Sequence, residues 1–373
     1  MLDILREKIK ASKNNCISYA EYMETALYHP VKGYYMKEKQ KLGKGGDFYT
    51  SMHVHDVFAK MFAKLFAKFF ALTDMPPVIC EAGGGDGRFA HAVITAWEEQ
   101  SSKPLTYCII ETSPYHRKLQ EAQLKCFQHV HIYASLEEAK TDKRVLNGVF
   151  FSNELFDALP VHVVQKVNGE LNEVFVTLED EQLKEVMIPC TNQQILNWIA
   201  KHLFELEEGQ RLEIPLMMKE IMQDYAEWFD EVLILTVDYG YLTEEWKHPA
   251  RRKGSLRGYY QHQQIEDLLQ YPGEMDMTTH VHFDALIDIG VEEQLEMLGM
   301  MSQAEFLLKA GILYELQAHQ DPNPFSEVSR RNRAIRSFIT SDGMGSAFHV
   351  VMQKKGLPFL KVEDLLEVGE QWR

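Results

Sequence analysis

The chain has 373 residues, 45% hydrophobic and 25% charged, with a formal net charge of −16. That is a globular composition with room for a packed core and a second lobe. So acidic a surface repels the phosphates of nucleic acids and of anionic lipids, which argues against either as a bulk partner and suits cationic protein segments.

The opening MLDILREKIKASKNN reads as a short amphipathic helix and has no apolar run of the kind found in a secretory signal. Residues 55–72, HDVFAKMFAKLFAKFFAL, place Lys60, Lys64 and Lys68 on one helical face and Phe58, Met61, Phe62, Leu65, Phe66, Phe69 and Phe70 on the other. A basic amphipathic helix can lie on a membrane or a partner, but the expectation is a surface helix packed by its apolar face. No segment is long and apolar enough to predict a membrane span.

From residue 76 strands and helices alternate: PVICEAG, then GRFAHAVITAWEE; TYCIIETS, then a helix starting at Ser113–Pro114; HIYAS, then EEAKTDK; and the strands GVFFSNE and EVLILTVDYG. This predicts an α/β fold with a mostly parallel sheet and helices on both faces. Residues 162–189 break the rhythm with a meander turning at Asn168–Gly169, followed by two helices, so 166–230 reads as an inserted α+β lobe. AFHVVMQKKG (347–356) is expected as a strand at or near the sheet edge. The predicted organisation is 1–75 N-terminal helices and lid loop, 76–165 cofactor half, 166–230 inserted lobe and 231–373 the rest of the core.

The five cysteines (Cys16, Cys80, Cys108, Cys126 and Cys190) are odd in number and show no CxxC spacing, which predicts reduced thiols and a cytoplasmic location. Three His-x-His pairs (His53/His55, His129/His131 and His280/His282) lack a third ligand at a telling spacing, so no metal is predicted.

The chemistry concentrates in EAGGGDGRFA (81–90), a glycine-rich turn between strand and helix. A dinucleotide loop needs G-x-G-x-x-G, but here the sixth position is Arg88, and Asp86 adds negative charge where a pyrophosphate would sit. S-adenosylmethionine carries no phosphate and two positive groups. Glu81, Asp86 and the backbone of Gly83, Gly85 and Gly87 suit it better. Glu111 ends the next strand, where an acid accepts hydrogen bonds from both ribose hydroxyls. A tight turn beside an exposed acid is the alternative.

Several stretches, in order and spanning most of the chain, together resemble the MidA family of S-adenosylmethionine-dependent methyltransferases. They are ISYAEYMETALYHPVKGYYM, GKGGDFYTS, EAGGGDG, IIETSPYHRKLQ, NELFDALPVHVV, VDYG, GSLRGYYQH and PGEMDMTTHVHF. The resemblance implies a class I, Rossmann-like methyltransferase fold with a seven-stranded, mostly parallel sheet, and protein arginine methylation as in the family's mitochondrial members. It also implies that Asp47, Thr50 and Ser51 lie near the cofactor in a lid loop, although the same residue types also make ordinary turns. The chain departs from the family at Gly84, where relatives often have proline, and at His282, where they usually have aspartate.

An arginine substrate is always protonated and needs acids to orient it and take a proton. Glu154 and Asp157, with Asn153 beside them, supply the expected catalytic group, on one face if the segment turns helical. Capping of a short helix is the other reading of Asn153 or Asp157. Arg257 and His262 match the family without an assigned role; Tyr34 and Tyr35 read as core packing or as walls of the substrate groove. The expected partner is a protein with an exposed arginine, the oligomeric state being left open, a homodimer included. The alternatives are a methyltransferase acting on a small molecule or another side chain, and a cofactor-binding assembly factor.

Overall fold

Apolar, β-branched runs without internal proline become strands here, and Gly- or Ser-led amphipathic runs become the helices between them. The computed structural model describes all residues except 39–54, 143–146, 203, 319–322, 324, 341–346 and 367–373. In chain order the described strands are β1 (Cys16–Ser18), β2 (Val78–Ala82), β3 (Thr106–Ile110), β4 (Val130–Tyr133), β5 (Asn147–Asn153), β6 (His162–Val167), β7 (Glu170–Glu179) and β8 (Gln182–Pro189). There follow β9 (Arg211–Ile214), β10 (Glu231–Tyr241), β11 (Arg257–Tyr260), β12 (Gln263–Ile265), β13 (Asp276–Thr278), β14 (Val281–His282), β15 (Glu296–Ser302) and β16 (Phe348–Lys355).

The central sheet runs β15–β16–β10–β5–β2–β3–β4. Strands β10, β5, β2, β3 and β4 are mutually parallel, while β16 lies antiparallel between β10 and β15. The two-residue β14 adds an eighth strand beside the end of β10, one more than the sequence predicts. β16, expected at or near the edge, sits one strand in from it, since β15 forms the border.

Side chains alternate across the sheet, as strand geometry requires, and build two cores. On one face Ile79, Ile109, Phe151 and Leu235 pack under helices Val57–Thr73, Arg88–Gln100 and Glu327–Ile339. On the other Cys80, Cys108, Phe150 and Ile234 pack under Leu216–Trp228 and Phe283–Glu292. The Val57–Thr73 helix is embedded more deeply than a surface helix. Phe58, Phe62, Phe66, Phe69 and Phe70 are fully buried, and each contributes on the order of 2–3 kcal/mol by leaving water. Lys60, Lys64 and Lys68 are half-buried, and Lys64 pairs with Glu315 at 2.7 Å. With both faces engaged, this helix has no apolar stripe left for a membrane. Among the described residues no helix is long and apolar enough to cross one.

A second sheet, β1–β7–β6–β9 with β8 on β7, forms the lobe. It begins at His162, ahead of the expected 166, and recruits β1 from the N-terminal segment. Its core joins Leu5, Ile9, Tyr22 and Tyr34 to Val163 and Val176, and to Met275 and Met277 beside the small β12–β11–β13 sheet. Helix Leu216–Trp228, expected within the lobe, instead packs on the main sheet as the crossover from β5 to β10.

Candidate active site

The parallel strands β2, β3, β5 and β10 end side by side, and their C-terminal residues carry the polar chemistry. This is where open α/β sheets bind ligands. β2 runs into Gly83–Gly87, whose Gly83, Gly85 and Gly87 adopt φ of 72°, 52° and 85°, the left-handed region that glycine enters without strain. Gly87 precedes helix Arg88–Gln100. Gly85 N–H donates to Glu111 Oε2 at 3.1 Å, and Ser113 N–H donates to Glu111 Oε1 at 2.8 Å. A carboxylate offers about four acceptor positions, so each Glu111 oxygen keeps capacity for a ribose hydroxyl. Gln120 fixes the loop from behind by donating to Gly85 O at 2.8 Å. A Cβ on Gly84 would meet Ile109 Cγ2 at 2.7 Å, so the proline common in relatives would require Ile109 to move.

Glu81 is buried at the end of β2 and accepts from the Tyr107 hydroxyl at 2.9 Å. Burial pushes its carboxyl up to about 8, and Glu111 and Asp86 add to the rise. Without a cation nearby it is therefore mostly protonated at neutral pH; a positively charged ligand favours its charged form. This donor set fits a cationic ligand with a ribose diol.

Next to the loop lies the 153–158 segment: a Cβ on Gly83 would stand 3.1 Å from Leu155 Cδ1. The segment does not become helical. Glu154 takes φ of 52° while its N–H donates to Val237 O at 2.9 Å, and the chain then turns. Glu154 and Asp157 meet through this turn rather than along a helix face. Asn153 Nδ2 donates to Glu154 Oε1 at 3.1 Å. Burial raises the Glu154 carboxyl to about 8, helped by Asp157 and Asp276. Asp157 accepts from the Tyr239 hydroxyl through Oδ2, while its buried Oδ1 and the Oδ1 of Asn153 have no hydrogen-bond partner among the described residues. Asp238, fully buried, accepts from the N–H groups of Phe156 and Asp157 at 3.0 and 3.3 Å. Burial drives Asp157 and Asp238 above the usual carboxylate range, and Asp157 adds to the rise of Asp238. Four acids and two unused acceptors thus converge, and among the described residues no cation is among the groups that shift Glu154, Asp157 and Asp238. Such a group favours a positive ligand.

Asp238, Tyr239 and Asp276 are members of this site that the sequence did not single out. Their stretches, VDYG and PGEMDMTTHVHF, were visible only as motifs, since Tyr239 and Asp276 reach the site through tertiary pairing. Of the two candidate groove tyrosines, Tyr34 is buried in the lobe core, whereas the Tyr35 hydroxyl donates to Asp276 Oδ1 at 2.6 Å. Arg257 donates to the backbone oxygens of Leu256 and Gly254, and His262 stands in the turn between β11 and β12. His282 is buried against Trp246 with rings 4.1 Å apart, its Nε2 bonded to Glu213 O at 2.9 Å, and burial pushes it down to about 3. Asp47, Thr50, Ser51 and His53 lie outside the described residues. Among the described residues no group of three or more His, Cys, Asp or Glu is arranged to hold a metal.

The chain is similar to known methyltransferases. A family model described as "Putative S-adenosyl-L-methionine-dependent methyltransferase" matches residues 61–301. The mitochondrial protein arginine methyltransferase NDUFAF7 of Danio rerio is 27% identical over 89% of this chain and 82% of its own. Its Caenorhabditis elegans homolog is 27% identical over 84% and 76%. A Burkholderia thailandensis protein, solved with S-adenosyl-homocysteine bound, superposes with a TM-score of 0.88 at 27% identity, covering 99% of this chain and 94% of that one. The chain belongs to this family of putative S-adenosyl-L-methionine-dependent methyltransferases.

Proposed function

We propose that the protein methylates arginine side chains of a protein substrate, with Glu154 and Asp157 gripping the guanidinium and Asn153 orienting Glu154. The observation that carries the reading is the pair of unpartnered buried acceptors, Asp157 Oδ1 and Asn153 Oδ1, beside a carboxyl raised to about 8. When bound, S-adenosylmethionine supplies an electrophilic methyl on its sulfonium. The protein's task is to present a nitrogen in line with it. A guanidinium entering between Glu154 and Asp157 restores their negative charge by pairing with it. As the nitrogen–carbon bond forms, the nitrogen sheds one proton, and a carboxylate whose pKa lies near the working pH is matched to accept it. Glu81, Glu111, Gly83, Gly85 and Gly87 hold the donor in this reading, with Asp47, Thr50 and Ser51 contributing to its site, on a class I frame of seven main strands with β14 added. The lobe assembled from the N-terminal helices and residues 162–214 receives the substrate chain. The acidic surface and the arginine methyltransferase activity for which the NDUFAF7 relatives are named support a cationic protein target. The odd count of five cysteines without CxxC spacing supports a reducing compartment, for which we propose the cytoplasm.

The test is methyl transfer from labelled S-adenosylmethionine into a lysate lacking the endogenous protein, with labelled residues identified by mass spectrometry. Label on arginine is expected; label confined to small molecules or to other side chains overturns the reading. Glu154→Gln is expected to keep S-adenosylhomocysteine affinity within about twofold and to lose 100-fold or more in kcat, the scale of a lost general base. Equal loss of binding would move Glu154 into the cofactor site.

A further inference from the structure

One hydrogen-bonded chain runs from the cofactor loop to the carboxylate cluster through the N-terminal segment. Gly85 and Ser113 N–H groups hold the two oxygens of Glu111. The Ser113 hydroxyl donates to Tyr35 O at 2.6 Å, and the Tyr35 hydroxyl donates to Asp276 Oδ1 at 2.6 Å. Asp276 is buried and close enough to Glu154 to raise its carboxyl. The Tyr35 ring stacks on Tyr28 at 5.4 Å, and the Tyr28 hydroxyl donates to Ala158 O at 2.8 Å, directly after Asp157. The same short segment therefore touches the support of Glu111, the stretch that carries Glu154 and Asp157, and Asp276.

We propose that Tyr35 is a positioning residue that couples the two half-sites, so that cofactor product and a cationic substrate tighten each other's binding. The proposal rests on the arginine reading above. The physical argument is linkage. With Tyr35 seated, Ser113 is locked into the geometry that aims its N–H at Glu111, and Asp276 is held by a neutral donor beside Glu154. A ligand at Glu111 and a cation at Glu154 both favour this seated state over a released one, and two ligands that favour one state must favour each other equally. Tyr35 touches neither ligand and acts through Ser113 and Asp276.

The test measures the affinity of S-adenosylhomocysteine by calorimetry with and without saturating N-acetylarginine amide, in the wild type, Tyr35→Phe and Asp276→Asn. The wild type is expected to bind S-adenosylhomocysteine about fivefold or more tighter in the presence of the probe. Tyr35→Phe keeps the ring and the stack but loses the hydroxyl. It is expected to bind S-adenosylhomocysteine alone within twofold of wild type and to show less than twofold tightening. Asp276→Asn retains an acceptor for the hydroxyl, so tightening persists while the probe binds more weakly. Full tightening in Tyr35→Phe, or none in a wild type that does bind the probe, overturns the coupling and leaves the arginine reading intact. Failure of the probe to bind the wild type overturns both. Loss of S-adenosylhomocysteine binding in Tyr35→Phe overturns the coupling by making Tyr35 part of the cofactor site. A melting curve checks folding. If Tyr35→Phe is unfolded, Ser113→Ala cuts the chain one link earlier and is expected to show the same loss of tightening.

Discussion

Asp157 has its two oxygens in different circumstances: Oδ2 is held by the Tyr239 hydroxyl and Oδ1 is left open. The hydroxyl orients the carboxylate and stabilises its charged form against burial, which pulls the other way. Tyr239→Phe removes that support and raises the Asp157 pKa further. The acid limb of kcat/KM against pH is then expected to move to higher pH, with activity recovering as the pH is raised. An unmoved acid limb would separate Asp157 from the rate. The sequence made Glu154, Asp157 and Asn153 visible because they follow a strand in one short run. It did not reveal Tyr239 as their support, because a residue in VDYG reads as strand interior until β10 is placed beside β5. The expected helical juxtaposition of Glu154 and Asp157 fails at Glu154 itself, whose positive φ begins a turn.

At the level of elements, the two glycine turns make a natural comparison. Gly87 closes the glycine-rich loop with φ of 85°, and a Cβ there would meet Gln120 Cα at 3.3 Å. Gly169 turns the β6–β7 hairpin with φ of 79° and has nothing within 4 Å of an added Cβ. Gly169→Ala is expected to cost about 1–2 kcal/mol, the backbone term alone, with S-adenosylhomocysteine affinity unchanged. Gly87→Ala adds contact with the helix backbone that carries Gln120. It is expected to cost about 2–3 kcal/mol and at least tenfold in S-adenosylhomocysteine affinity. Denaturant melts and calorimetry on the two variants check this, and equal effects on affinity would remove the loop from the cofactor site. Both turns were readable from sequence, since glycine marks left-handed backbone with little ambiguity. The lobe's extent was not. The meander from 162 was visible, but the pairing of His162–Val163 with Ile214 and Glu213 on distant β9, which binds it into the lobe, leaves no local signal.

Across the molecule, buried titratable groups set opposing pH dependences. Glu81 and Glu154 titrate near 8 in the fold against about 4.5 unfolded, so the folded state holds extra protons between those values and loses stability as pH rises through them. His280 and His282, pushed down to about 4 and about 3, are neutral in the fold, so stability is lost as pH falls below about 6.5. The two trends oppose each other between about 4.5 and 6.5, and only the carboxyl term persists above. The ligand-free protein is therefore expected to lose stability from pH 6.5 to 8, by at most about 1.4 kcal/mol per pH unit for each such carboxyl. Urea midpoints across that range check the slope. Glu154→Gln should flatten it, and an unchanged slope would mean that Glu154 is already ionised in the free protein. The alternation of strands and helices gave away the sheet and its parallel order. These pH trends were hidden, because they depend on which acids the fold deprives of water.

Strand β1 pairs with β7 through Cys16–Thr177, Ile17–Val176 and Ser18–Phe175, partners separated by about 160 residues of chain. On a ribosome adding about 5–20 residues per second, the N-terminal strand would wait roughly 8–30 seconds for its partner to be made. During that interval Ile17 and the helix behind it have no lobe to enter, and β7, once made, has an open edge until β1 arrives. The lobe thus cannot close before residue 177 is made, and the central sheet closes later still, once β16 enters between β10 and β15. Until residue 177 is made, β1 is open to pairing with strands of other molecules.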